Sequence, residues 1–147
     1  MNTVYSLEKL YDIKENDFNK AQSQYNRSIE HFEQVGQQLY ELLKHKEELE
    51  TKLGNMVNQR IKVISLSSYH QHLERLKYQE NAIQVKVHQA RLNMENKQQL
   101  MTNAHQEVKK LEKLIEKRHS KQKQITKKAE NQFLDDISVQ QYIRANG

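Results

Sequence analysis

The sequence predicts an all-α protein that folds as a long two-helix antiparallel coiled-coil hairpin. Apolar residues recur at alternating spacings of four and three along almost the whole chain, and this pattern breaks once, near the middle. The chain also has no proline and only three glycines, so little interrupts a helix. An apolar period of 3.5 residues sustained over many heptads is typical of coiled coils. A single short break requires the second helix to fold back along the first.

The repeating positions are called the seam here, and they form two runs. The first run is Val4, Leu7, Tyr11, Lys14, Phe18, Ala21, Tyr25, Ser28, Phe32, Val35, Leu39, Leu42, Lys46, Leu49, Leu53, Met56 and Arg60. The second run is Leu66, Tyr69, Leu73, Leu76, Glu80, Ile83, Val87, Ala90, Met94, Lys97, Met101, Ala104, Val108, Leu111, Ile115, Arg118, Gln122, Ile125 and Ala129. Of these 36 positions 28 are apolar, whereas an overall apolar content of 35% would give roughly 13 by chance.

The seam and its break predict the boundaries of one coiled-coil domain over residues 1–147. The first helix should cover about 4–60, the turn about 61–65 and the second helix about 66–130. Gly54 weakens the end of the first helix, and Ser65 is a suitable N-cap for the second. Because the seam stops after Ala129, residues 131–147 form a C-terminal tail that we expect to fray when alone.

Two charged residues, Lys46 and Glu80, occupy seam positions in adjacent layers of the predicted hairpin. A charge in an apolar seam costs stability but can specify the register of the two helices. We interpret the pair as a register device, with two solvated side chains reaching out of the seam as the alternative.

Composition and motifs argue against an enzyme. The chain has no cysteine and no metalloprotease or Gly-rich phosphate-binding motif, and its seven histidines are interpreted as solvated helix-surface residues. Carboxylates on an open helical surface are not desolvated, so nothing shifts their pKa toward catalytic use. We therefore predict no catalytic residue, cofactor, metal or small-molecule substrate. No stretch approaches the roughly 20 apolar residues of a membrane span, which favours a cytoplasmic location.

The net charge of +5 is concentrated in one segment. Residues 109–128 contain nine Lys and Arg against Glu112 and Glu116, a net +7. Such a segment suits an acidic partner. It has no aromatic residue to stack on a base, so we predict no nucleic-acid partner, although phosphates can be held by charge alone.

Four stretches resemble a known family. Residues 5–15 read Tyr-Ser-Leu-Glu-Lys-Leu-Tyr-Asp-Ile-Lys-Glu, which is similar to the opening of the FliJ family of flagellar type III export proteins, an aromatic followed by Leu-x-Lys-Leu-x-x-Leu/Ile-Lys-Glu. Residues 134–142 resemble the ending of one branch of that family, and residues 38–42 and 69–76 fit its helices near the turn. Together with the length and the hairpin, the resemblance covers the whole chain.

The resemblance implies a stalk-like protein whose terminal end inserts into the hexameric export ATPase. The residues that it places at this ATPase are Leu7, Leu10, Tyr11, Ile13, Lys14, Lys117, Arg118, Lys121 and Lys123. The resemblance also implies docking on a membrane-embedded export gate part-way down the hairpin. The corresponding positions are Gln38, Leu42, His45, Leu49, His72, Leu76, Gln79 and Ile83, of which Gln38, Leu42 and Leu76 match the family in residue type.

Further partners implied by the resemblance are the regulator of the ATPase and export chaperones, at the cytoplasmic face of the cell membrane. Two alternatives stay open at this point. One is the equivalent stalk of a virulence type III secretion system. The Asp-Asp-Ile sequence of residues 135–137 favours the flagellar protein over this alternative. The other is a basic coiled-coil scaffold or nucleic-acid-associated protein.

Overall fold

The computed structural model describes residues 3–59 and 62–146, with side chains described from Ser6 onward. Two α-helices account for nearly all of these residues, α1 over Thr3–Asn58 and α2 over Val63–Asn146, and the described residues contain no strand. The helices pack against each other as an antiparallel hairpin, which confirms the predicted fold class. The side chains of Val4 and Tyr5, together with Arg60 and residue 61 of the predicted turn, lie outside the described residues.

The chain divides into two compact units. The hairpin unit, Asn19–Thr102, contains the turn, and the terminal unit combines Met1–Phe18 with Asn103–Gly147.

The turn lies earlier in the chain than the sequence pattern predicted, because α1 ends at Asn58 rather than near residue 60. The second helix begins at Val63 rather than near residue 66. The carbonyl of Lys62 accepts hydrogen bonds from the backbone N–H groups of Ser65, at 3.0 Å, and Leu66, at 3.2 Å. These bonds form the first turn of α2 ahead of the Ser65 position that the sequence analysis chose as the N-cap.

The seam is the region of helix–helix packing in both units. Every seam position from Leu7 to Met56 and from Leu66 to Ile115 is buried or half-buried. Polar members follow the same rule: buried Ser28 donates a 2.6 Å hydrogen bond to a backbone carbonyl of its own helix. The 3.5-residue period therefore located the packed positions of both helices.

The core of the hairpin unit is a cluster of four buried leucines, Leu49, Leu53, Leu73 and Leu76. Three half-buried side chains pack against this cluster: Leu42, Leu66 and Tyr69. Burial of apolar area of this kind is the main favourable contribution to folding. The cluster therefore fixes the two helices next to the turn.

Lys46 and Glu80 form a cross-helix ion pair inside the seam of the hairpin unit. The Lys46 Nζ lies 2.8 Å from Glu80 Oε2, and the two side chains are only 22% and 15% exposed. The hydrogen bond to Glu80 raises the pKa of Lys46, against an opposing effect of desolvation. The predicted adjacency of the two residues is confirmed; their role in setting the register stays a prediction.

In the terminal unit α2 continues well beyond the packed seam. The four last seam positions, Arg118, Gln122, Ile125 and Ala129, are exposed, unlike those before them. The helix also runs through residues 131–146, which the sequence analysis had set apart as a tail. No proline or glycine occurs between Gly54 and Gly147, so no residue in this segment disfavours helix strongly.

Truncation of the buried leucine Leu73 tests the core. We expect Leu73→Ala to lower the free energy of unfolding by about 2–4 kcal/mol, because it removes buried methyl groups and leaves a cavity. Leu92→Ala, at a side chain that is 50% exposed, should change it by less than about 0.5 kcal/mol. Urea unfolding followed by circular dichroism measures both, and equal losses would contradict the seam assignment.

Candidate functional site

In the terminal unit, the α1 residues predicted to contact an ATPase form a half-buried group and an exposed group. Leu7, Tyr11 and Lys14 are seam residues and half-buried, whereas Leu10 and Ile13 are 40% and 50% exposed. The first three side chains are therefore partly used in helix packing. Leu10 and Ile13 present apolar surface that a partner can contact.

A polar contact ties the two helices of the terminal unit together at Tyr11. Its hydroxyl donates a 3.2 Å hydrogen bond to Glu112 Oε1, while Lys109 Nζ lies 3.0 Å from Glu112 Oε2. Partial desolvation and the bond to Glu112 raise the pKa of Tyr11. The bond from Lys109 lowers the pKa of Glu112 more than desolvation raises it, with Tyr11 adding to the lowering.

The α2 residues predicted at the ATPase, Lys117, Arg118, Lys121 and Lys123, are all exposed. None of the four forms an ion pair with a described residue. The nearest cross-helix contact joins His119 Nε2 to Glu8 Oε1 at 3.9 Å, which is an ion pair only when the imidazole is protonated. These four side chains therefore present positive charge to solvent, whereas Lys109 and Lys110 at the start of the basic segment are paired with Glu112 and Glu107.

Exposed apolar side chains lie both within the basic segment and after it along α2. They are between 50% and 70% exposed: Leu114, Ile125, Phe133, Leu134, Val139, Tyr142 and Ile143. Isolated exposed apolar residues are normal, but this helical segment carries several in succession. Basic and apolar side chains together suit contact with another protein.

The positions predicted to contact an export gate lie in the hairpin unit and fall into two groups. The seam residues Leu42, Leu49, Leu76 and Ile83 are buried or half-buried between the helices. Gln38, His45 and Gln79 are exposed and His72 is half-buried, so these four are the ones open to a partner.

His45 and His72 come together across the hairpin. Their Nε2 atoms are 3.3 Å apart, and their rings meet edge to face with centroids 5.5 Å apart and planes at 83°. Gln38 precedes His45 by seven residues and Gln79 follows His72 by seven, so the antiparallel register places the glutamines on the same side of the seam. We call these four residues the His/Gln edge.

Several cross-helix contacts escaped the sequence analysis. The Tyr11–Glu112 hydrogen bond is one; the Phe18 and His105 rings, with centroids 5.0 Å apart, are another. The pairing of His45 with His72 is a third, since spacing along one helix says nothing about it. The antiparallel register could have predicted these contacts, because it determines which positions of the two seam runs lie opposite each other once the turn is known.

Within residues 3–59 and 62–146, no three His, Cys, Asp or Glu side chains group closely enough to hold a metal ion. Neither described helix has a stretch that is long and apolar enough to cross a membrane.

Comparison with known proteins identifies the family. The model of the family described as "Flagellar FliJ protein" matches residues 3–147. The chain belongs to the FliJ family. The Flagellar FliJ protein of Bacillus subtilis (strain 168) is 32% identical to it over 139 residues, which cover 95% of each chain. No solved structure matches the chain.

Membership in the FliJ family confirms the resemblance drawn from residues 5–15 and 134–142. It makes this chain a component of the flagellar protein export apparatus, in a family of non-catalytic components that associate with the export machinery. This hairpin is therefore a flagellar protein rather than a virulence stalk.

The Tyr11–Glu112 contact predicts a pH dependence of stability for this FliJ-family hairpin. Glu112 has a lowered pKa, so its stabilising effect is present above the ordinary value of 4.5 and is lost as the pH falls through the lower, folded-state pKa. Tyr11 has a raised pKa, so its contribution is present below 10.0 and is lost as the pH rises through the higher, folded-state pKa.

Thermal unfolding measured from below pH 4.5 to above pH 10.0 tests both expected losses of stability, the acid one from Glu112 and the alkaline one from Tyr11. Glu112→Gln should flatten the acid side of the curve of unfolding midpoint against pH, and Tyr11→Phe the alkaline side. Unchanged slopes in both variants would show that the contact contributes nothing to stability.

Proposed function

We propose that this chain is a non-enzymatic, stalk-like coiled coil that docks in the hexameric flagellar export ATPase and couples it to the membrane export gate. The observation that carries the proposal is the set of four exposed basic side chains without an ion pair to a described residue, Lys117, Arg118, Lys121 and Lys123, in a chain of the FliJ family. The terminal unit is the part that contacts the ATPase, and the His/Gln edge of the hairpin unit is the part that contacts the gate.

Positive charge and exposed apolar area support the ATPase contact. Exposed Lys and Arg side chains attract an acidic surface over a distance of about one Debye length and orient the encounter. Leu10 and Ile13 then supply exposed apolar area that is buried on docking. The Tyr11–Glu112 hydrogen bond keeps α1 against α2, so the two sets of side chains approach the partner as one surface.

The gate contact is supported by what the seam leaves exposed. Leu49 and Leu76 are core residues of the hairpin unit, so a partner does not reach them without opening the helices. The exposed amides of Gln38 and Gln79 can donate and accept hydrogen bonds with a partner backbone. We therefore assign the gate contact to the His/Gln edge, with Leu42 and Ile83 flanking it.

Docking of the ATPase regulator and of export chaperones belongs to the same proposal, as do chaperone recycling and peripheral association with the cytoplasmic face of the cell membrane. The mixed basic and apolar surface at the end of α2 offers these partners a site next to the ATPase contact.

The ATPase contact is tested with charge variants of the full chain. We expect the fourfold variant Lys117→Gln, Arg118→Gln, Lys121→Gln and Lys123→Gln to need about tenfold more protein for half-maximal stimulation of ATP hydrolysis by the cognate export ATPase. The cause is loss of four solvent-facing positive charges at the docking surface. Hydrolysis is measured against chain concentration under conditions in which the ATPase forms rings.

A matched variant controls for net charge. Lys20→Gln, Arg27→Gln, Lys44→Gln and Lys86→Gln remove four exposed charges from the hairpin unit and should leave stimulation unchanged. Equal loss in both fourfold variants, or no stimulation by the natural chain, would contradict a docked terminal end. Tight binding of random-sequence duplex DNA at physiological salt, without stimulation, would support the nucleic-acid alternative.

The gate contact is tested with the two glutamines of the His/Gln edge. The double variant Gln38→Ala, Gln79→Ala should raise the Kd for the cytoplasmic part of the gate protein at least about fivefold, because each lost hydrogen bond costs about 0.5–1.5 kcal/mol. Calorimetric titration measures the Kd. The control Gln71→Ala, Gln98→Ala changes two exposed glutamines off this edge, and an equal effect there would refute the assignment.

A further inference from the structure

The contact between His45 and His72 is a cross-helix pair of potential metal ligands. The two residues are 27 apart in sequence, and only the turn of the hairpin unit brings their Nε2 atoms to 3.3 Å. Nε2 lies at the far end of each ring. His45 is exposed and His72 half-buried, so an ion can reach both atoms from solvent.

The distance between the two Nε2 atoms indicates which coordination geometry a bound metal ion would have. Zn–N bonds of about 2.0–2.1 Å at a tetrahedral angle place two coordinating nitrogens about 3.3–3.4 Å apart. Two adjacent ligands of a square-planar ion with bonds of the same length are about 2.8–3.0 Å apart. The observed 3.3 Å therefore fits a tetrahedral ion.

We propose that His45 and His72 form a two-histidine site for Zn²⁺ that bridges α1 and α2 within the hairpin unit. The cation binds both Nε2 atoms. Without the cation the same atoms share one N–H···N hydrogen bond. On binding, the donating ring carries its proton on Nδ1 instead, so no proton has to leave the protein.

The surroundings leave the site open rather than closed. No third His, Cys, Asp or Glu among the described residues completes a ligand group, so water fills the other two positions of the tetrahedron. The ammonium of Lys46 is paired with Glu80 at 2.8 Å, which compensates one of the two lysine charges that flank His45 in sequence. An open site of this kind also leaves room for a donor atom from another molecule.

The metal site does not depend on the proposed gate contact, since it follows from two side chains of this chain alone. A bound ion would hold the helices together near the leucine core. Because the ion needs both residues in the folded register, it binds the folded hairpin in preference to the unfolded chain and stabilises it by mass action.

The experiment is a titration of the full chain with ZnCl₂ after removal of metal with EDTA. Above the Kd, each tenfold increase in free Zn²⁺ should raise the thermal unfolding midpoint by about 4 °C. His45→Ala and His72→Ala should each abolish this rise. His70→Ala, which removes an exposed imidazole two residues from His72, should retain it.

Helix content of each variant, measured by circular dichroism in EDTA, shows whether it folds. As a second readout, the ¹⁵N resonances of Nε2 in both histidines of the natural chain should shift on addition of Zn²⁺. The proposal is overturned if His45→Ala and His72→Ala keep the metal-dependent rise, if His70→Ala loses it, or if neither Nε2 resonance moves.

Discussion

One antiparallel register between α1 and α2 determines which side chains can meet. The seam offers only two positions in seven for burial, so a helix shifted by a few residues would place charged flanking residues where leucines now pack. We expect Lys46 and Glu80 to strengthen this constraint, because a slipped register would leave two charges facing apolar partners without their 2.8 Å ion pair. The Tyr11–Glu112 hydrogen bond in the terminal unit also forms only when the two helices are in this register.

Because side chains in the packed part of the seam lie between the helices, any recognition surface has to lie beside or beyond it. Beside it, in the hairpin unit, polar side chains such as His45 and Gln38 meet solvent. Beyond it, in the terminal unit, α2 carries exposed basic and apolar residues with no described α1 residue packed over them. The interaction surfaces proposed for this chain therefore follow from the limits of helix packing.

The periodicity of the sequence predicted the packed seam positions, but it did not predict the end of α2 or the contacts beside the seam. Seam positions such as Leu49 and Leu73 were found because packing leaves a 3.5-residue pattern. The continuation of α2 past residue 130 was missed because an unpacked helix needs no apolar pattern. The pairs Tyr11–Glu112 and His45–His72 were missed because flanking contacts depend on register, which the length of the turn fixes and the sequence left open within one heptad.

In the proposed function, the terminal part of α2 couples helix stability to partner binding. Lysines four residues apart, such as Lys113, Lys117 and Lys121, lie on one face and repel each other, which destabilises an isolated helix by a few tenths of a kcal/mol for each pair. From Arg118 onward the seam positions of this segment are exposed, so it lacks the helix packing from which most helical stability in proteins comes. An acidic docking surface removes the repulsion and supplies the missing contact, so the features that weaken this helix when free favour its binding.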